Sequence, residues 1–248
     1  MTDAHCHVVR GESRHFVCEP CGNIPDGVDV VRFAGTHPWM FADFEPDALR
    51  ARLAADSALG VGEIGLDRLR ERDIPQGMID VFSEQLHIAA EFGRPVVLHG
   101  AKCWGKVIEI VKKSQKKQTP LGSNPRKEGV VPAYIFHGFS RSEGLLPDIF
   151  ALNGYVSIGP AILNDHAVNY REMARKIPAE RLLVETDCTE ANAAETPRIE
   201  EVAAGLAEVR GIPLFELSAI LEDNASRFAS WVRVGGSPIF EAWKSPRP

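Results

Sequence analysis

The sequence predicts one α/β domain over residues 1–248, a (β/α)8 TIM barrel, with a doubly wound parallel sheet as the alternative architecture. Three observations lead there. Short runs rich in Val, Ile, Leu, Phe and Tyr recur along the chain and end in small or polar residues, as strands buried on both faces should. Amphipathic stretches separate most of these runs. The length of 248 residues matches one barrel, and neither an internal repeat nor a shift in composition marks a second domain.

In chain order, strands are expected at Thr2–Val8, His15–Cys18, Val31–Gly35, Leu59–Gly65, Pro95–His99, Ala133–His137, Gly154–Ile158 and Leu182–Thr186. The link after the second strand carries Pro20, Gly22, Asn23 and Pro25 and is too short for a full helix, so the barrel should be irregular there. Met78, Phe82, Leu86 and Ala89 recur at helical spacing, as do Trp104, Val107, Ile108 and Val111. A third helix carries Ile199, Val202, Leu206 and Val209, with Thr196 read as N-cap, Pro197 in the first turn and Gly211 as the stop.

Composition narrows the function. No apolar run approaches the roughly 18 residues that cross a bilayer, so no membrane role is expected. The histidine pattern that begins at His5 leaves no room for a signal peptide, and the five cysteines, Cys18 and Cys21 among them, read as reduced thiols. Both point to the cytoplasm. A net charge of −6 argues against broad electrostatic attachment to nucleic acid, but not against a local site whose charge bound cations would reverse. Gly60, Gly62 and Gly65 spell GxGxxG, yet Glu63 would put a negative charge where a pyrophosphate should lie. There is no GxSxG elbow and no HExxH helix.

Barrel enzymes work at the C-terminal ends of their strands, and polar residues are concentrated there. His5 and His7 form an HxH pair on the first strand. Glu63 lies in GEIGLD, His99 in VVLHG, His137 in YIFHGFS and Asp187 in LLVETD. Each alone has an ordinary explanation as a hydrogen-bonded core group or a helix cap. Six together would be costly to desolvate unless cations joined them, and six exceed the four ligands of one tetrahedral site, which implies two divalent ions. Arg68, Lys102 and Arg141 follow strand ends and are expected on the same rim as substrate contacts. The most basic stretch, Lys112 to Lys127, leads into strand six and belongs to the opposite face.

DAHCH (Asp3–His7), GTHPW (Gly35–Trp39), VGEIGLD (Val61–Asp67), Gln76 with Phe82, Gln85 and Leu86, VVLH (Val96–His99), HGFS (His137–Ser140), YVSIG (Tyr155–Gly159), VETD (Val184–Asp187) and a late Asn224 follow one another in a set order. That ordered set resembles the TatD family of metal-dependent hydrolases over nearly the whole chain. The resemblance implies a barrel of the metallo-dependent-hydrolase type and a deoxyribonuclease, often exonucleolytic, acting on single-stranded DNA or frayed ends with no obligate protein partner.

In family terms His5 and His7 would bind one metal, His99 and His137 the other, and Glu63 would bridge them. Asp187 would bind the first metal, hold the attacking water, a metal-bound hydroxide, and serve as general base. His37 would face the scissile phosphate. Mg²⁺, Mn²⁺ or Zn²⁺ would be the ions, with Ni²⁺ and Co²⁺ also compatible. The alternatives are an amidohydrolase, a lactonase or an aminoacyl-tRNA esterase on the same barrel, and, from another class, a non-catalytic DNA-binding or scaffold barrel.

Overall fold

The computed structural model describes residues 1–70, 72–118, 132–140 and 143–233. Eight strands form one sheet in sequence order, every neighbouring pair parallel. They are β1 (Thr2–Cys6), β2 (Arg14–Cys18), β3 (Val30–Ala34), β4 (Gly60–Asp67), β5 (Val96–Ala101), β6 (Tyr134–Phe136), β7 (Gly154–Ile158) and β8 (Leu182–Val184). The helices are α1 (Pro46–Ala55), α2 (Gln76–Glu91), α3 (Trp104–Gln118), α4 (Leu146–Ala151), α5 (Val168–Lys176), α6 (Ile199–Arg210) and α7 (Leu214–Arg233). The doubly wound alternative is thereby excluded: the sheet curls into a nearly closed barrel. Its seam is sewn just past β8, where Asp187 N–H donates to the His5 carbonyl at 3.0 Å and His7 N–H donates to the Cys188 carbonyl at 2.8 Å.

The expected apolar stripes face the core. Met78, Phe82, Leu86 and Ala89 on α2, Trp104, Val107, Ile108 and Val111 on α3, and Ile199, Val202, Leu206 and Val209 on α6 are all buried in the layer between helices and strands. Inside the barrel, Ala4, Phe16, Phe33, Val97, Ile135, Tyr155 and Leu183 form a second cluster with Phe228 of α7. Phe228 plugs the N-terminal end, its ring 5.7 Å from Phe16, 6.1 Å from Phe33 and 5.8 Å from Tyr155. Burying a side chain of that size contributes about 1.5–3 kcal/mol. Asn224 anchors the same helix by donating to the carbonyls of Ala179 and Leu182, both at 2.7 Å.

The departures from expectation are local. No helix follows β2, as its Gly/Pro-rich link requires, and none follows β1. β8 stops at Val184 because Thr186 turns its N–H and hydroxyl to the Asp3 carboxylate, at 2.9 and 2.6 Å. The N-cap of α6 is Arg198, not Thr196. Thr196 is drawn back into the preceding turn by its hydroxyl bond to the Asn192 carbonyl, and Glu201 instead accepts from Arg198 N–H at 2.7 Å. Gly211 does end α6, at φ +66°.

The three glycines of GxGxxG serve strand packing. A Cβ at Gly60 would overlap the Phe33 ring, and one at Gly65 would overlap the His99 carbonyl. In the basic stretch, Lys112 pairs with Asp148 at 2.7 Å and Lys113 with Glu109 at 2.5 Å, while Arg126 and Lys127 lie outside the described residues.

Candidate metal centre

Two irregularities in the strand ladders set up the site. The register of β1 against β2 shifts between Asp3 and Cys6, and that of β4 against β5 between Val61 and Ile64. Such shifts re-aim side chains that a regular pleat would send elsewhere. They fall at His5 and at Glu63.

Glu63 is 4% exposed and occupies the middle of the mouth. Its Oε1 lies 2.5 Å from His137 Nε2 and in still closer contact with His99 Nδ1; its Oε2 lies 3.6 Å from His5 Nε2 and 3.4 Å from His7 Nε2. Asp187 Oδ1 is 3.3 Å from His5 Nε2, and His37 Nε2 is 4.0 Å from Glu63 Oε1. All six residues singled out as ligands therefore meet at one place, with His37 beside them. Three trios bring one ligand atom each within 4.8 Å of one another: His5, His7 and Asp187; His5, Glu63 and His137; His37, Glu63 and His99.

The electrostatics favour positive charge here. Burial alone would raise Glu63, yet the imidazoles of His137, His99 and His5 hold its carboxyl well below the usual range. Burial also works upward on Asp187, where His5 outweighs it and keeps the pKa low. Burial pushes His7, His99 and His137 down, but Glu63 more than reverses it, helped by Asp67 at His99 and by Glu185 at His137. The cluster thus stabilises protons on its imidazoles, and divalent ions can take their place.

The donor set fits such ions. The His5 ring is fully buried and has no hydrogen-bond partner at either nitrogen, a costly state for an imidazole that a cation at Nε2 would relieve. His7 directs Nδ1 at the Pro20 carbonyl, 3.2 Å away, and His99 directs Nε2 at Asp67 Oδ2, 2.9 Å away. Each outer nitrogen then carries the proton, which leaves the inner lone pair for a metal.

His37 is fixed differently. β3 ends at Ala34, and His37 heads the short helical turn Pro38–Asp43, where its Nδ1 accepts from Trp39 N–H at 3.1 Å. Its remaining proton must sit on Nε2, facing the site. Burial pushes the pKa down to about 4, so the ring presents a neutral N–H donor at neutral pH.

Reading the sequence for ligands missed the carboxylates that hold them. Asp67 supports His99. Glu185 lies 3.8 Å from His137 Nδ1 and accepts from Gly138 N–H at 2.6 Å, and Asp3 ties down the turn that carries Asp187. Their signal was present in GEIGLD, VETD and DAHCH, each of which holds an acid on or near a buried strand.

Arg68 and Lys102 line a cleft of about 1170 Å³ together with His99, His137 and Asp187, so both expected rim cations reach the site's opening. Arg141 lies outside the described residues. Lys102 and Asp187 adopt left-handed backbone, φ +56° and +51°, which non-glycine residues take up mainly where a site demands it.

A (β/α)8 barrel that gathers imidazoles and carboxylates at its C-terminal mouth defines a hydrolase of the metal-dependent barrel class. The chain belongs to the family described as TatD related DNase, which matches residues 25–230. The match begins after β2, and the geometry joins His5 and His7 to it.

The chain is 25% identical to the uncharacterized metal-dependent hydrolase YabD of Bacillus subtilis, over 89% of this chain and 85% of that protein. It is 28% identical to the 3'-5' ssDNA/RNA exonuclease TatD of Klebsiella pneumoniae, over 62% of this chain and 55% of that protein. Among solved structures, the TatD homologue YJJV of Escherichia coli matches with a TM-score of 0.66 at 25% identity, covering 80% of this chain and 76% of that one. An amidohydrolase from Saccharomyces cerevisiae described as uncharacterized matches at 0.66 and 15% identity, over 87% and 88%, a likeness of fold alone.

Proposed function

We propose that the chain hydrolyses phosphodiester bonds in DNA, working from single-stranded or frayed ends at a centre of two divalent ions. One observation carries the reading: the two oxygens of Glu63 are divided, Oε1 toward His99 and His137, Oε2 toward His5 and His7. A carboxylate divided in this way would serve an ion on each side, and Asp187 would complete the set on the His5 side. Four imidazole ligands favour Zn²⁺, with Mg²⁺ and Mn²⁺ supported by the carboxylates.

Bound there, the ions would lower the pKa of a water and neutralise the non-bridging oxygens of the phosphate. The chain's own groups do the rest. Asp187 is ionised, faces the cleft and can take a proton at Oδ1 or Oδ2. His37 offers its Nε2 proton to a phosphate oxygen. Arg68 and Lys102 draw the anionic strand to the rim, a preference for phosphate over a neutral amide or lactone. Free thiols, four of the five buried, support a reducing compartment such as the cytoplasm, and no described helix is long and apolar enough to cross a membrane.

The test combines metal analysis with end-labelled DNA. Reconstituted protein should hold two ions per chain and shorten a labelled single strand, and chelation should abolish both. One ion at most, or intact DNA beside a hydrolysed ester or lactone, would refute the reading.

A pH effect accompanies it. Because Glu63 raises the values of His7, His99 and His137, metal binding displaces the protons these imidazoles carry. Metal affinity should therefore rise with pH and fall as pH drops through the raised imidazole values. Glu63 and Asp187, already ionised, contribute no protons. Calorimetry in buffers of different ionisation enthalpy measures the release, and binding without it would contradict the assignment.

A further inference from the structure

A half-exposed tryptophan stands at the edge of the site. Trp39 is 43% exposed although it is the largest side chain on the loop after β3. Its position is fixed on three sides. The His37 ring meets it edge-on at 4.8 Å, and His37 in turn lies 4.7 Å from His99, so two ring contacts lead from Glu63's ligand partner to the rim. Asp67, the carboxylate that holds His99, is kept below its usual range against burial by His99, by Leu69 N–H and, less, by the indole N–H of Trp39. The guanidinium carbon of Arg70 lies over the ring, 3.7 Å from its centroid.

Around it, Met40 and Leu69 are each 55% exposed, and Arg68 and Arg72 flank the same loop after β4. Exposed aromatic and apolar groups interleaved with arginines, beside a site that faces phosphate, form the kind of surface on which unpaired bases stack.

We infer that Trp39 and Arg70 form a stacking platform for the nucleobase next to the scissile phosphate. The inference rests on the phosphodiesterase reading and adds to it a reason for acting on single strands. A base in a duplex has both faces covered by its neighbours, whereas an unpaired base can leave the strand and join the stack begun by Trp39 and the planar guanidinium of Arg70. The ring contact with His37 places the platform beside the groups that handle the phosphate, so a stacked base sets the register of the strand.

The experiment compares two labelled single strands that differ at one nucleotide beside the cleaved bond, thymidine in one and an abasic tetrahydrofuran in the other. Wild-type protein should show kcat/KM about tenfold higher for the strand with the base. Trp39→Ala should bring that ratio to about one. Trp39→Phe, which keeps a ring but loses the N–H, and Arg70→Ala should fall between. Taking the ratio within each variant cancels any general loss from a disturbed Asp67 or His99.

A second readout needs no turnover: a phosphorothioate thymidine strand should quench tryptophan emission in the wild type, and Trp39→Phe should lack that component although the other three of the four tryptophans remain. Equal use of both strands by the wild type, or an equal loss on both in Trp39→Ala, overturns the platform and leaves the nuclease reading standing. Cleavage of neither strand overturns both.

Discussion

On the proposed two-ion reading, Glu63→Gln should empty the centre of both ions and lower hydrolysis by about 10³-fold or more, because the substitution removes the one charge both halves would share. Losing an outer partner of a metal ligand costs about 10–100-fold in affinity, so losing a bridging ligand should exceed that for each ion. The amide has nearly the shape of the carboxylate, and its burial beneath His5, His99 and His137 is unchanged. What changes is chemical. The amide nitrogen turns donors toward imidazoles that need an acceptor, and no charge remains at this buried position to balance cations. Elemental analysis of purified variant and wild type, with activity measured across added metal, makes the comparison. A variant that keeps two ions and stays within about tenfold of wild-type activity would remove Glu63 from the bridging position.

The barrel and its mouth were legible in the sequence for a common physical reason. A strand buried on both faces must be apolar nearly throughout, so β5, β6 and β8 read plainly, and the polar residue that interrupts such a run is conspicuous. His99 and His137 were found that way. Glu63 was found too, although it sits inside β4 rather than near its end, because the register shift that aims it leaves no trace in composition. Asp187 was read as the close of a strand; it lies three residues beyond β8, in left-handed backbone set by bonds from His5 and Asp3 that span most of the chain.

Residues whose role is pairwise and long-range stayed hidden. Asp67 acts through His99 on the neighbouring strand, and Trp39 through His37 and Asp67. Each stands in a motif, Asp67 in GEIGLD and Trp39 in GTHPW, but the motif does not say which side chain it holds. The N-cap of α6 failed for a related reason: Thr196 and Arg198 compete for one helix start, and a hydroxyl bond to Asn192 decides between them.

Asp187→Asn should reduce kcat by about 10²–10⁴-fold while changing KM far less, if this carboxylate takes the proton from the attacking water. The substitution suits the backbone: Asp187 sits at φ +51°, and asparagine tolerates that region as well as aspartate does, so fold and turn should survive. Alanine would add strain to the chemical loss, which makes asparagine the cleaner probe. The amide cannot accept a proton from water, and it ligates more weakly, so the ion on the His5 side should loosen while the one held by Glu63, His99 and His137 remains.

The pH profile separates the roles. Asp187 is held below its usual value, so its contribution as a base is present at and above ordinary carboxylate pH and is lost only in more acidic solution. Loss of activity near neutral pH would then come from protonation of the raised imidazoles as they release metal, or of the water the ions activate, and it should persist in the asparagine variant at the lower rate. An asparagine variant with kcat within about tenfold of wild type would move the general base to another residue, whereas one whose acid limb near neutral pH disappears would assign that limb to Asp187 itself and contradict its lowered value.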